Sequence, residues 1–93
     1  MTEPYRLPTE LNIYAVAEMR VALLAWVEER TKAKEPLELS AQEVAEIDGA
    51  GMQLLVSLSN MRLPWKITAS STAFADACRL LGLQTWLPPG QPT

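Results

Sequence analysis

The residues best suited to chemistry stand together at Asp48-Gly49-Ala50-Gly51-Met52-Gln53. A carboxylate followed by two glycines that bracket one alanine is the pattern of a turn into a helix. Asp48 then serves as the N-cap, its side-chain oxygen accepting from the unpaired N–H groups of the first turn. Gly49 and Gly51 would let the backbone take dihedrals closed to other residues, and would let another chain or a ligand come close. Two kinds of work fit such a place: docking a protein partner, or holding an anion at the positive end of the helix. The second fits less well. No Lys or Ser/Thr follows Gly51 in the manner of a phosphate-binding loop, and Asp48 brings negative charge to the phosphate position.

Elsewhere the sequence offers little reactive chemistry. Histidine is absent, which removes the usual general base near neutral pH and the commonest zinc ligand. The one cysteine, Cys78, falls in an apolar helical pattern and is expected to be a small buried thiol. A net charge of −3, with the eight basic residues scattered, argues against a nucleic-acid partner. No catalytic residue, metal or cofactor is expected.

Ninety-three residues, 48% of them hydrophobic and 20% charged, predict one small globular domain. No apolar run approaches the length that crosses a bilayer, and the first residues lack the pattern of a signal peptide, so a soluble, cytoplasmic protein is expected.

The elements that must position the glycine turn follow from periodicity. Tyr5-Arg6-Leu7 and Leu11-Asn12-Ile13 alternate, predicting two short strands joined as a hairpin by Pro8-Thr9-Glu10. From Ala15 to about Thr31 the period becomes helical, with Val16, Met19, Ala22, Leu23, Trp26 and Val27 on one stripe. Its start lacks a good cap. A strand over Leu37 to Ala41 leads through Val44 and Ile47 to the glycines. The second helix, from about Gly49 to Arg62, is apolar around much of its circumference and should be central. Pro64 breaks it. Trp65 to Ala69 reads as a strand with Trp65, Ile67 and Ala69 on one face, and Ser70 or Ser71 caps a third helix through Leu81, whose stripe is Phe74, Ala77, Cys78 and Leu81. Gly82 stops it. Residues 88–93 are expected to form a disordered tail after a domain over 1–87.

This order is an α/β alternation, in which parallel strands linked by right-handed crossovers are expected beyond the hairpin. Because the strands alternate instead of running continuously apolar, the expectation is a four- to five-stranded mixed sheet with helices mainly on one face. The polar residues Glu38, Ser40, Lys66 and Thr68 would occupy the other. The glycine turn follows a strand and opens a helix, which places it at the carboxyl edge of the sheet, where such folds gather their sites.

Over about residues 5–87 the sequence resembles the STAS domains, small α/β modules that include the anti-sigma-factor antagonists of bacteria. The resemblance rests on Leu11-Asn12-Ile13-Tyr14, on Ile47-Asp48-Gly49-Ala50-Gly51-Met52-Gln53-Leu54-Leu55, on Ser70, and on Leu81-Gly82-Leu83. It implies a non-enzymatic switch or adaptor whose turn and following helix dock on a partner through Asp48, Gly49, Ala50, Gly51, Met52 and Gln53. In antagonists of the family the residue after the Asp is a serine or threonine that a partner kinase phosphorylates. Gly49 stands there and has no hydroxyl, while Ser57 and Ser59 lie two turns further on and do not replace it. The resemblance therefore implies a constitutive, non-phosphorylatable binder. Its partner would be an anti-sigma kinase-like ATPase or a chemotaxis or two-component protein. The family alternative is a small subunit regulating the ATPase of a lipid-transport ABC complex.

Overall fold

Pro8 divides the first extended segment in two, because it lacks an N–H for the sheet ladder. In the computed structural model, which describes residues 3–88, β1 (Tyr5–Arg6) precedes that break and β2 (Glu10–Leu11) follows it. The expected hairpin is not formed. β1 pairs in parallel with β3 (Leu37–Ala41), placing Tyr5 beside Leu39, and β2 pairs in parallel with β4 (Glu46–Ile47), placing Leu11 beside Ile47. Residues 5–11 thus run alongside residues 39–47 without reversing. The Thr9 carbonyl at the break accepts from the N–H groups of Ala45 and Glu46 at 2.8 and 3.0 Å. The turn chemistry of Pro-Thr-Glu makes a kink here, and the reversal that a hairpin needs never occurs.

The remaining order is α1 (Val16–Lys32) before β3, then α2 (Gly49–Ser59), β5 (Trp65–Ser70), α3 (Thr72–Leu80) and a 3-10 turn at Gln84–Trp86. The strands form a three-stranded sheet in the order β1-β3-β5 and a separate two-stranded β2-β4 pair. Every pairing is parallel, which corrects the single mixed sheet of four or five strands. What stands is a small α/β domain. Between β3 and β5 the register shifts after Leu39, so that Ala69 lies opposite Ser40 and no longer continues the Trp65–Ile67 alternation.

One core joins the layers. Leu37, Leu39, Ala41 and Ile67 from the sheet meet Leu23 and Val27 of α1, Met52, Leu54, Leu55 and Leu58 of α2, and Phe74 and Cys78 of α3. Complete burial of a side chain the size of Leu or Phe is worth roughly 1.5–3 kcal/mol. The alternate positions on the sheet are wetter: Lys66 and Thr68 are exposed, and Lys66 reaches Glu38 at 3.3 Å.

Sequence and structure part at three further places. Ala22 is exposed and off the buried stripe of α1, while Trp26 is half-buried against Tyr5, their ring centroids 5.2 Å apart. α2 ends at Ser59, before Arg62, which has a positive φ of 60° and turns the chain towards Pro64. Leu81 lies past the end of α3 and is exposed, and Ala75 takes the buried place. Of the two candidate caps, Ser71 caps α3 by accepting from the Phe74 N–H at 3.1 Å. Gly82, at φ 74°, ends that helix as expected, and Leu83 N–H closes on the Cys78 carbonyl at 2.7 Å. Of the tail expected from residue 88 on, residues 89–93 lie outside the described residues.

Candidate functional site

The start of α2 is built on Asp48. Its backbone is extended, and Oδ1 accepts from the Gly51 N–H at 3.0 Å, the N-cap geometry anticipated from sequence. A carboxylate has a second oxygen. Oδ2 accepts from the backbone N–H of Ile13 at 3.0 Å, so the same side chain clamps the turn between β2 and α1 to the start of α2. These donors, the Gly51 N–H first and the Ile13 N–H second, hold the Asp48 carboxyl below the ordinary carboxylate range. The group is an anion at neutral pH.

The turn clamped in this way is organised by Asn12, one of the few buried polar side chains. Its Oδ1 accepts from the Tyr14 N–H at 3.0 Å, an Asx turn, and its Nδ2 donates to the carboxylate of Glu46 in β4. The Asn12 carbonyl accepts from both Ala15 and Val16, which launches α1 although Ala15 provides no side-chain cap. At the tip of this turn stand Ile13, 62% exposed, and Tyr14, 91% exposed. Their periodicity reads as the end of a strand. The signal that would have found them is the Asn itself, whose side chain competes for backbone N–H groups and favours turns.

The two glycines have different tasks, and neither task is the one expected. Both lie in α2 without positive φ, so no special dihedral is used. Gly51 is buried, and a Cβ there would run into the carbonyl oxygen of Leu11 at the end of β2. The chain that comes close is therefore this one. Gly49 is exposed, and a Cβ added to it would meet nothing within 4 Å.

Of the six residues expected at a docking surface, the structure brings Asp48, Gly49, Ala50 and Gln53 to one accessible corner. Gly51 and Met52 are removed from it, because both are buried, Met52 at 4% exposure in the core. The second helix is amphipathic enough that Met52 belongs with Leu55 and Leu58, and a reading of circumference alone could not say so. Ile13 joins the corner through the Asp48 clamp, with Tyr14 next to it in the chain.

Cys78 is fully buried, and burial pushes its thiol up to about 11, so it is protonated and unreactive in the fold. Among the described residues no cluster of three or more potential metal ligands occurs, and no helix is long and apolar enough to cross a membrane. No protein-family model matches the chain, and neither the curated proteins nor the solved structures contain a significant match.

Proposed function

We propose that this chain is a non-enzymatic, cytoplasmic protein–protein interaction module of the STAS type. It binds a kinase-like or other signalling partner through the corner formed by Ile13, Tyr14, Asp48, Gly49, Ala50 and Gln53. The observation that carries this reading is the clamp at Asp48, which holds an exposed Ile-Tyr tip beside an open helix start. An exposed aromatic on a turn whose backbone is held in place, with small residues nearby at a helix start, is the kind of anchor that binding energy concentrates on.

Gly49 gives the module its character. A serine or threonine there would offer a hydroxyl to a kinase, and phosphate would set roughly −1.5 to −2 charge beside the Asp48 anion. With glycine the binding form is permanent.

The test is affinity purification from the native cell with the wild-type chain and with Gly49→Glu and Ala50→Arg, followed by mass spectrometry. Gly49→Glu has open space for its side chain, and thermal melting of both variants checks that they fold. A signalling ATPase or receptor component retained by the wild type and lost from both variants supports the reading. Equal retention by the variants rejects this corner as the surface. Recovery of an ABC ATPase with its permease would make the chain a transporter subunit and Gly49 a contact residue.

A further inference from the structure

α1 is apolar on two sides. Leu23 and Val27 face the core, yet Val21 is 71% exposed and Leu24 46% exposed, with Ala17, Ala22 and Ala25 exposed around them. The spacing of Ala17, Val21, Leu24 and Glu28, four then three then four, keeps these positions on one outward ridge. Beside the ridge, α1 and α2 enclose a groove of about 240 Å³ lined by Arg20, Leu24, Val27, Leu54, Ser57 and Met61. The groove continues along the helices towards Ala17 and Ala50. Ridge and groove lie side by side on one surface, the condition for a patch that complements itself across a two-fold axis.

The charges fix the direction. The exposed charged residues of α1 are Glu18 and Arg20 in its first part and Glu28, Glu29 and Lys32 in its last. Set parallel across a two-fold axis, two copies would oppose Arg20 to Arg20 and Glu28 to Glu28. Set antiparallel about a point near Leu24, they bring Arg20 within a turn of the partner's Glu28, a pairing that occurs twice, beside the Glu28–Lys32 ion pair at 3.3 Å within each helix. We propose that two copies of this chain associate as an antiparallel dimer, the Val21–Leu24 ridge of each lying against the α1–α2 groove of the other. A helix of this length is about 25 Å long and a two-helix face is about 20 Å wide. The contact then covers about 1,000 Å² in total, the low end for specific association, so the dimer is weak and depends on concentration. This proposal does not rest on the identity of the partner bound at Asp48.

Sedimentation velocity of the full chain from micromolar to millimolar concentration tests it, with thermal melting as the check on folding. The wild type is expected to shift from monomer to dimer across this range. Leu24→Glu should remove the shift, because it places two carboxylates at the centre of the apolar contact. Arg20→Glu and Glu28→Arg should each weaken the dimer about tenfold, since each change acts twice, and the double swap should restore it. A wild-type chain that stays monomeric throughout overturns the proposal, including the case in which another protein's helix fills the groove. A dimer indifferent to Leu24→Glu overturns the choice of face. A double swap that fails to restore association overturns the antiparallel arrangement.

Discussion

The starts of α2 and α3 solve the same local problem with different side chains. At each, an oxygen of the residue before the helix accepts from the N–H three residues on: Asp48 from Gly51, Ser71 from Phe74. The Ser71 hydroxyl does no more than this, the tie from the start of α3 to the end of β3 being made by the backbone, Ser71 N–H to the Ala41 carbonyl at 3.0 Å, and the residue it caps, Phe74, is fully buried. Asp48 has a second oxygen and spends it on Ile13, thirty-five residues away in sequence. A capping site becomes a joint between distant segments when the cap has an oxygen to spare. The same corner has an exposed tip, while the start of α3 closes into the core.

The contrast is tested hardest at the residue that packs beneath the Asp48 joint. Gly51→Ala should destabilise the fold by about 3 kcal/mol in urea unfolding, because its Cβ meets a backbone carbonyl that cannot move aside cheaply. Gly49→Ala, in open space within the same first turn, should be neutral or stabilise by up to about 0.5 kcal/mol. Equal effects would show that the close approach of Leu11 is not a constraint.

Next in size, Asp48→Ala should lower stability more than Ser71→Ala, which is expected to cost about 1 kcal/mol for one lost cap. Hydrogen exchange at the Ile13 and Tyr14 amides should rise in Asp48→Ala alone. If Ser71→Ala costs as much and the exchange is unchanged, the second oxygen carries nothing.

Acidity separates the two caps further. The folded carboxyl of Asp48 lies below its unfolded value, so its stabilisation is complete above the unfolded carboxylate range and is lost as pH falls through the folded value. The gap between wild type and Asp48→Ala should therefore narrow in strong acid, and the gap for Ser71→Ala should not. Thermal melts at neutral and acidic pH read both.

The smallest effect is expected at the opposite end of a helix. Lys34 follows the end of α1 with φ 57°, a conformation costing a side chain about 1–2 kcal/mol, partly offset in glycine by its own entropy. Lys34→Gly should stabilise by about 0.5 kcal/mol. Unlike Gly82, which already fills such a site, this position was not given its best residue.

Local signals in the sequence were legible where one side chain decides the outcome. Asp48, Ser71 and Gly82 each mark a boundary that the structure keeps, because capping and φ restriction act within a few residues. Strand pairing was harder. Nothing local distinguishes a kink at Pro8-Thr9-Glu10 from a hairpin, and the choice is made by Ala45 and Glu46 reaching the Thr9 carbonyl. Leu81 and Ala22 fit a helical stripe numerically, yet the end of α3 and the direction of the core, both tertiary matters, leave them in water. Within the candidate site, the corner residues Asp48, Gly49, Ala50 and Gln53 follow from the motif. Met52 does not belong with them, and Ile13 and Tyr14 could be added only once the Asp48 clamp was visible.

The split first strand also sets the order in which the fold can assemble. Residues 5–11 find their partners about 35 residues further along, and β3 and β5 are likewise separated by a whole helix. Among the described residues no pair of strands can form from neighbouring sequence, so each pairing requires a long loop to close first. Folding should accordingly run in milliseconds or slower, well behind a helical bundle of the same size. On the ribosome the core face of α1, with Leu23 and Val27, has to wait uncovered until α2 has emerged to pack against it. The Leu11–Gly51 fit would then be among the last contacts made, and damage there should hasten unfolding more than it slows folding.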